Sequence, residues 1–342
     1  MKTVKYVVIL ALLLAFVACG FACQSEANKY LNEAISHYEN GQVIEALRSL
    51  EMTYGKEPAD ADYFVRRAGL YIELNEYGGA RADYEEAILL DPTAESYTEL
   101  GKLYSITEIE EALNCFNQAI LIDPQYAEAY LWRGKKYQEW GYYSNDRDEA
   151  LERLNKAVID ITESIELVSD KQYQAARALV YIDLGLYDEA IEDYSECIRQ
   201  KPKARYYYGR ASAYFLADRL SLAINDLNEA INLEPSYYEA YYNRGIVYMV
   251  LENYLKAIAD FNKLVEAMPE WGFAYLLRLT CFVELGDIEA ATDDYNSALR
   301  LDAYSEEYFD LPDYIPANTK LYLSKIDNAI KELEMALDDN AQ

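Results

Sequence analysis

Residues 238–269 read YEAYYNRGIVYMVLENYLKAIADFNKLVEAMP, and this stretch decides the fold. It divides into two helix-length segments. The first carries the small residue Gly245 and the aromatic Tyr248; the second carries Ala257 and Phe261 and runs into Pro269. Two helices packed antiparallel need small side chains where their backbones approach and large ones to fill the neighbouring grooves. A proline after the second helix stops it, so that the chain can turn.

The same pattern recurs on both sides of this stretch. Prolines stand at positions 58, 92, 124, 202, 235 and 269, with spacings of 34, 32, 33 and 34 and one longer gap of 78 that holds two units. Ahead of them lie Ala46 and Leu50; Ala80, Tyr84 and Ala87; Ala112, Phe116 and Ala119; Ala190 and Tyr194; and Ala223, Leu227 and Ala230. Upstream segments carry Tyr71, Tyr104, Tyr137, Tyr181 and Tyr214, several after a small residue such as Gly134, Ala178 or Ala211. The long gap reads as Tyr130, Gly134 and Tyr137, about four extra loop residues in Tyr142–Asp146, then Ala150, Leu154 and Ala157. An eighth copy carries Tyr275, Phe282, Gly286, Ala291, Tyr295 and Ala298, with Ala303 in the proline's place.

This pattern resembles the tetratricopeptide repeat, and it covers about residues 27–303 in eight units. The resemblance implies an all-α fold, a right-handed superhelical solenoid of about eight helix-turn-helix repeats. It also implies a protein-binding role, with the first helices lining a concave groove. On the family's pattern, the groove positions of repeats six to eight are Arg205, Tyr208, Phe215, Glu239, Tyr242, Asn243, Met249, Leu276 and Leu277. Their apolar character suits a peptide or helix; packing of the same side chains on neighbouring helices or on the C-terminal helix is the alternative. The carboxylate clamp of chaperone-binding members finds only the scattered Arg66, Lys135, Arg205 and Asn243, which argues against recognition of an acidic C-terminal tail.

A second regularity rides on the first. Arg67 with Asp83, Arg177 with Asp193, Arg210 with Asp226, Arg244 with Asp260, and Arg278 with Asp294 each stand sixteen residues apart. They predict an inter-helix salt bridge within each repeat, a structural rather than a catalytic feature. Repeat one has Glu33 and Ser49 at these places and repeat three has Leu100 and Cys115, while Arg133 of repeat four would face Arg153.

The ends read differently. Lys2 and Lys5 precede an apolar run from Val7 to Val17, short for a bilayer span but suited to a signal-peptide core over residues 1–18. Phe16-Val17-Ala18-Cys19 resembles the bacterial lipobox, which makes Cys19 the expected lipidated residue and 19–26 a tether. Gly20-Phe21-Ala22 before Cys23 offers an ordinary signal-peptidase site, so a soluble secreted form is a second reading and an uncleaved membrane anchor a third. Either way the chain is expected to leave the cytoplasm for the cell envelope. Residues 304–318, with Pro312 and Pro316, read as an irregular linker. Leu323, Ile326, Ile330, Leu333 and Leu337 then mark an amphipathic capping helix within 319–342.

Composition narrows the function. With 60 acidic against 31 basic residues the formal charge is -29, which repels a phosphate backbone and disfavours nucleic acid. A hydrophobic content of 52% with 35 tyrosines promises a packed core rather than disorder. The single histidine, His37, falls at an aromatic position of a first helix, and Cys115, Cys197 and Cys281 lie in different repeats. No nucleophile–base pair, metal-ligand spacing or glycine-rich phosphate loop emerges, so neither an enzyme nor a cofactor is expected. The reading is a non-catalytic scaffold or adaptor that binds other proteins; a small-ligand or transport-associated binding lipoprotein is the alternative.

Overall fold

The computed structural model describes residues 26–55, 60–168, 173–301 and 319–341. The signal segment, Cys19, most of the tether, Pro58 and the 304–318 linker lie outside them. The chain divides into two compact units, Met1–Ser169 and Asp170–Gln342.

Among the described residues every regular element is helical. The first unit holds α1 (26–39), α2 (Val43–Glu51), α3 (Ala61–Glu73), α4 (Tyr77–Leu90), α5 (Ala94–Leu103), α6 (Ile109–Ile122), α7 (Ala127–Tyr142) and α8 (Arg147–Leu167). The second holds α9 (Gln174–Asp183), α10 (Tyr187–Gln200), α11 (Ala204–Leu216), α12 (Leu220–Leu233), α13 (Tyr238–Val250), α14 (Tyr254–Ala267), α15 (Gly272–Glu284), α16 (Ile288–Arg300) and α17 (Thr319–Ala341). Odd-numbered helices up to α15 open a repeat and even-numbered ones close it; in each unit, successive pairs pack on one another.

Local chemistry sets the boundaries. Asp60, Thr93, Asp146 and Asp287 accept backbone N–H hydrogen bonds at the starts of α3, α5, α8 and α16. In six of the repeats the turn between the helices contains one left-handed residue. Glycine supplies it at Gly41, Gly185 and Gly286, whereas Asn75, Asp218 and Glu252 adopt it at φ of 60°, 59° and 56°. At Glu252 the strain is offset by a closed C-terminal motif, in which Asn253 N donates to Tyr248 O at 2.8 Å and Glu252 N to Met249 O at 3.1 Å.

The core follows the small-and-large rule read from the sequence. Ala46, Ala80, Ala112, Ala190, Ala223, Ala257 and Ala291 are all fully buried, as are Phe116 and Phe261. A Cβ placed on Gly245 would stand 2.5 Å from the Phe261 ring, and one on Gly101 2.6 Å from that of Phe116. These glycines let the two helices of a repeat touch.

Repeat four requires a correction. Its extra residues are not a loop of about four but a lengthening of the hairpin. α7 runs nine residues past Arg133 where α13 runs six past Arg244, and α8 begins thirteen before Asp160 where α14 begins six before Asp260. Ten added helical residues, three in α7 and seven in α8, are about three turns, so the apolar faces stay aligned. The small–large contact is accordingly Gly134 against Ile161, at 2.6 Å for a built Cβ. Leu154 instead packs near Gly141, in the added turns.

Candidate protein-binding surface

The repeated arginine reaches the second helix in six repeats. Arg67 and Asp83 form paired hydrogen bonds of 2.7 and 2.6 Å. The same fork joins Arg177 to Asp193, Arg210 to Asp226, Arg244 to Asp260 and Arg278 to Asp294, with distances between 2.5 and 2.9 Å. Planar guanidinium and carboxylate groups match in this two-bond geometry. Arg133 does not face Arg153. It forks onto Asp160 at 2.7 and 2.6 Å, while Arg153 pairs with Glu149 at 2.7 Å and lies 4.0 Å from the Trp140 ring centroid. The longer hairpin of repeat four moves the aspartate from sixteen to twenty-seven residues away.

The third arm of the guanidinium reaches back to the preceding repeat, in three cases to an asparagine sixteen residues earlier. Arg133 Nη1 donates to Asn117 Oδ1 at 2.8 Å, Arg244 Nη1 to Asn228 Oδ1 at 2.6 Å and Arg278 Nη1 to Asn262 Oδ1 at 2.6 Å. Arg210 reaches Ser195 Oγ at 2.9 Å, and Arg67 reaches Thr53 Oγ1 at 3.1 Å. Each of these acceptors belongs to the preceding repeat. One arginine therefore closes its own hairpin and ties it to the one before. Aromatic rings line the same guanidiniums: Tyr207 and Tyr214 flank Arg210 at 5.7 and 5.8 Å, and Tyr275 and Phe282 flank Arg278 at 5.7 and 5.9 Å. This accounts for part of the tyrosine excess.

Burial pushes the Asp83, Asp260 and Asp294 carboxyls above the ordinary carboxylate value, against the pull of their arginines. Repeat three replaces the pair with Leu100 and Cys115, both buried. An apolar pair of similar volume is an adequate substitute, because a buried ion pair loses in desolvation much of what it gains in attraction.

The groove positions of repeats six to eight need a second correction. Tyr242, Met249, Leu276 and Leu277 are not exposed: their exposures are 7%, 0%, 2% and 0%. They share one core with Ile326, Ala329, Ile330 and Leu333 of α17. Phe215 packs half-buried against the same core, and Tyr208 stacks edge-on against Tyr237 at 5.2 Å. Asn243 and Glu239 are half-buried, and Arg205 is exposed with Nη2 donating to the Tyr206 hydroxyl at 2.9 Å. The apolar side chains thus lie inside a core to which the C-terminal helix contributes, packed chiefly on α15.

In the first unit the opening helices α5 and α7 carry a cluster of another kind. Lys102 Nζ lies 2.5 Å from Glu99 and 2.7 Å from Glu128, and the Trp132 indole N–H donates to Glu128 at 3.3 Å. Lys135 Nζ sits 4.1 Å from the Trp132 ring centroid. Among the described residues it makes no salt bridge. Burial and the neighbouring Lys102 charge push its ammonium below the usual lysine value. Sequence reading singled out Lys135 only for a clamp it does not complete. Trp132 was missed, because an aromatic in a first helix reads as core.

Other sites are modest. A cleft of ≈ 270 Å³ in the second unit is lined by Gln174, Arg177, Tyr181, Glu189, Glu192, Asp193, Glu196 and Arg199, a charged wall unlike an apolar ligand pocket. His37 Nδ1 lies 2.7 Å from Gln42 Oε1, a contact within the first hairpin. Cys115, Cys197 and Cys281 are buried thiols outside any disulfide; burial pushes the first two up to about 11 and the third up to about 12. Among the described residues no group of three or more His, Cys, Asp or Glu is placed to hold a metal ion, and no helix is long and apolar enough to cross a membrane.

Comparison with known proteins places this architecture. Models described as "TPR repeat" match residues 107–141 and 211–250, and models described as "Tetratricopeptide repeat" match 31–95, 172–203 and 238–271. Human tetratricopeptide repeat protein 16 is 28% identical over 118 residues, 32% of this chain and 14% of that protein. Human tetratricopeptide repeat protein 6 is 24% identical over 188 residues, 45% of this chain and 35% of that protein. The chain thus spans about a third or less of the curated relatives it matches. Among solved structures, a tetratricopeptide repeat protein from Parabacteroides merdae aligns with a TM-score of 0.57 at 21% identity, over 71% of this chain and 93% of that one. The APC/C hetero-tetramer Cut9-Hcn1 aligns with a TM-score of 0.54 at 15% identity, over 85% and 52%. These two structures share the fold.

Proposed function

The chain belongs to the tetratricopeptide-repeat family, whose members generally mediate protein–protein interaction, and from that premise we propose that it is a non-catalytic scaffold or adaptor of the bacterial cell envelope. One observation carries the binding half of this reading. The arginines that hold the repeats together are paired inward, whereas Lys135 sits on the Trp132 face with no salt-bridge partner among the described residues. An indole beside a half-dehydrated ammonium is suited to a partner that brings an apolar side chain and an acceptor oxygen together. The rest of that face, with Glu99, Lys102 and Glu128 locked in mutual contacts, gives the partner a fixed polar rim.

The location rests on the N-terminal sequence alone. Lys2, Lys5, the apolar run and Cys19 support export followed by lipidation of Cys19 and attachment to a membrane.

Crosslinking and affinity capture from intact cells test both halves. Trp132→Ala with Lys135→Ala is expected to lose the captured partner while helicity is retained; undiminished capture by the folded variant refutes this binding face. Cys19→Ser is expected to leave the membrane fraction. Unchanged fractionation and processing refute lipidation.

A further inference from the structure

The antiparallel hairpins give the first unit two edges. The closing helices α2, α4 and α6 run the same way, so their C-terminal ends share one edge, and α1, antiparallel to α2, begins on that edge at residue 26. Cys19 stands seven residues before it in the sequence. Seven residues reach at most about 25 Å, so a lipid on Cys19 holds this edge of the first unit close to a bilayer.

The same edge carries apolar side chains where later repeats carry polar ones. Leu89 and Leu121 stand six residues after Asp83 and Cys115, at the ends of α4 and α6, and they are 78% and 75% exposed. Leu90 and Ile122 beside them, and Met52 just past α2, are exposed as well. The same offset falls on Glu166 in repeat four and on Arg199, Asn232, Glu266 and Arg300 in the second unit. The apolar row is therefore confined to the three repeats next to the N-terminal tether. Leu50, Ala87 and Ala119 of the same helices already fill the core, so packing of the repeats does not account for the row. Neighbouring exposed apolar side chains mark a surface that a partner or a membrane covers, and the nearby anchor selects the membrane.

We propose that this edge lies on the bilayer surface: Met52, Leu89, Leu90, Leu121 and Ile122 enter the boundary between headgroups and acyl chains beside the anchored Cys19. This rests on the lipidation reading above and adds an orientation to it. The turns between the first repeats face the membrane, and the turns within their hairpins point away. Apolar burial drives the contact; charge opposes it, because the chain carries -29 and the exposed Asp91 and Asp123 directly follow Leu90 and Ile122. Interfacial segments sink about 5–10 Å into a bilayer. Ile44, near the start of α2, is exposed too, but it stands eight residues before Met52, about 12 Å along the helix, and stays outside that depth.

The test uses the full chain purified with its lipid and reconstituted in vesicles of phosphatidylethanolamine with a minor share of phosphatidylglycerol, both radiolabelled. Leu121→p-benzoylphenylalanine and, separately, Ile44→p-benzoylphenylalanine are illuminated; both replace exposed apolar side chains, so neither disturbs the core. Lipid label is expected to enter the position-121 variant at least about fivefold more than the position-44 variant. Equal labelling, or crosslinks from position 121 to a second copy in place of lipid, overturns the proposal. Leu89→Asp with Leu90→Asp, added to the position-121 variant, is expected to lower its labelling at least about threefold, and unchanged labelling also overturns the proposal. Mass spectrometry of the N-terminal peptide reads the lipid on Cys19 separately. Lipid on Cys19 with equal labelling refutes the edge and leaves the anchor intact. Absence of lipid refutes the anchor, and the labelling ratio of the chain mixed with the same vesicles then decides the edge.

Discussion

Transplanting the pair of repeat three into repeat seven tests the energetic role of the arginine series. Arg244→Leu strands Asp260, a residue only 3% exposed, and removes the donor to Asn228. Loss of one member of a buried ion pair costs about 3–5 kcal/mol, and the low end applies because water reaches the site from the arginine side, where 18% of the side chain is exposed. About 3 kcal/mol is expected. Asp260→Cys leaves the guanidinium buried on one side but still bonded to Asn228, and is expected to cost about 3 kcal/mol as well. The double variant recreates Leu100 and Cys115, which repeat three buries without a charge. It retains only a lost inter-repeat hydrogen bond and a small packing defect, so about 3 kcal/mol is expected in place of the additive 6 or so, a coupling of about 3 kcal/mol. Repeat arrays unfold with limited cooperativity, so the assay is native-state hydrogen exchange of α13 and α14 at neutral pH rather than a global melt. A coupling below about 0.5 kcal/mol refutes the reasoning.

Three further outcomes follow from the packing and the charges. Gly245→Ala is expected to destabilise the chain by about 1–3 kcal/mol, since its Cβ meets the Phe261 ring at 2.5 Å, whereas Gly69→Ala meets nothing within 4 Å and is expected to stabilise α3 by about 0.5–1 kcal/mol; chemical denaturation reads both. Burial raises the Glu128 carboxyl, but Lys102, Trp132 and Tyr126 together overcome it and hold it below its ordinary 4.5. Its contribution is therefore full above about pH 4.5 and lost as the pH falls through its folded value, so Glu128→Gln is expected to flatten the acid limb of α5–α7 protection. Asp260, raised by burial, has the opposite sign: protonation as the pH falls through its folded value relieves a desolvation cost. Finally, iodoacetamide at pH 8 is expected to leave the peptides bearing Cys115, Cys197 and Cys281 unlabelled until the chain is unfolded, as mass spectrometry of digests will report.

The sequence by itself determined the repeat. Small residues must stand where helices touch, large ones must fill the gaps and a proline must end the pair, so Gly245, Phe261 and Pro269 are legible without coordinates. The sixteen-residue arginine–aspartate spacing was legible for the same reason, because both residues sit at constant heights on paired helices. Repeat four broke the spacing through a longer hairpin, yet Asp160 stands nine residues before Ser169, just as Asp260 stands nine before Pro269. That offset was the available signal. Three things were decided only in three dimensions. The inter-repeat acceptors Asn228 and Asn262 look like ordinary polar residues until the preceding helix is placed beside them. Trp132 and Lys135 are neighbours by helical spacing on α7, but the burial of Lys135 and the Lys102 charge beside it appear only when α5 is placed against α7. Tyr242, Met249 and Leu276 read as an apolar groove along the opening helices, but their burial depends on which other helices join their core, and periodicity within one helix carries no information about its neighbour across space.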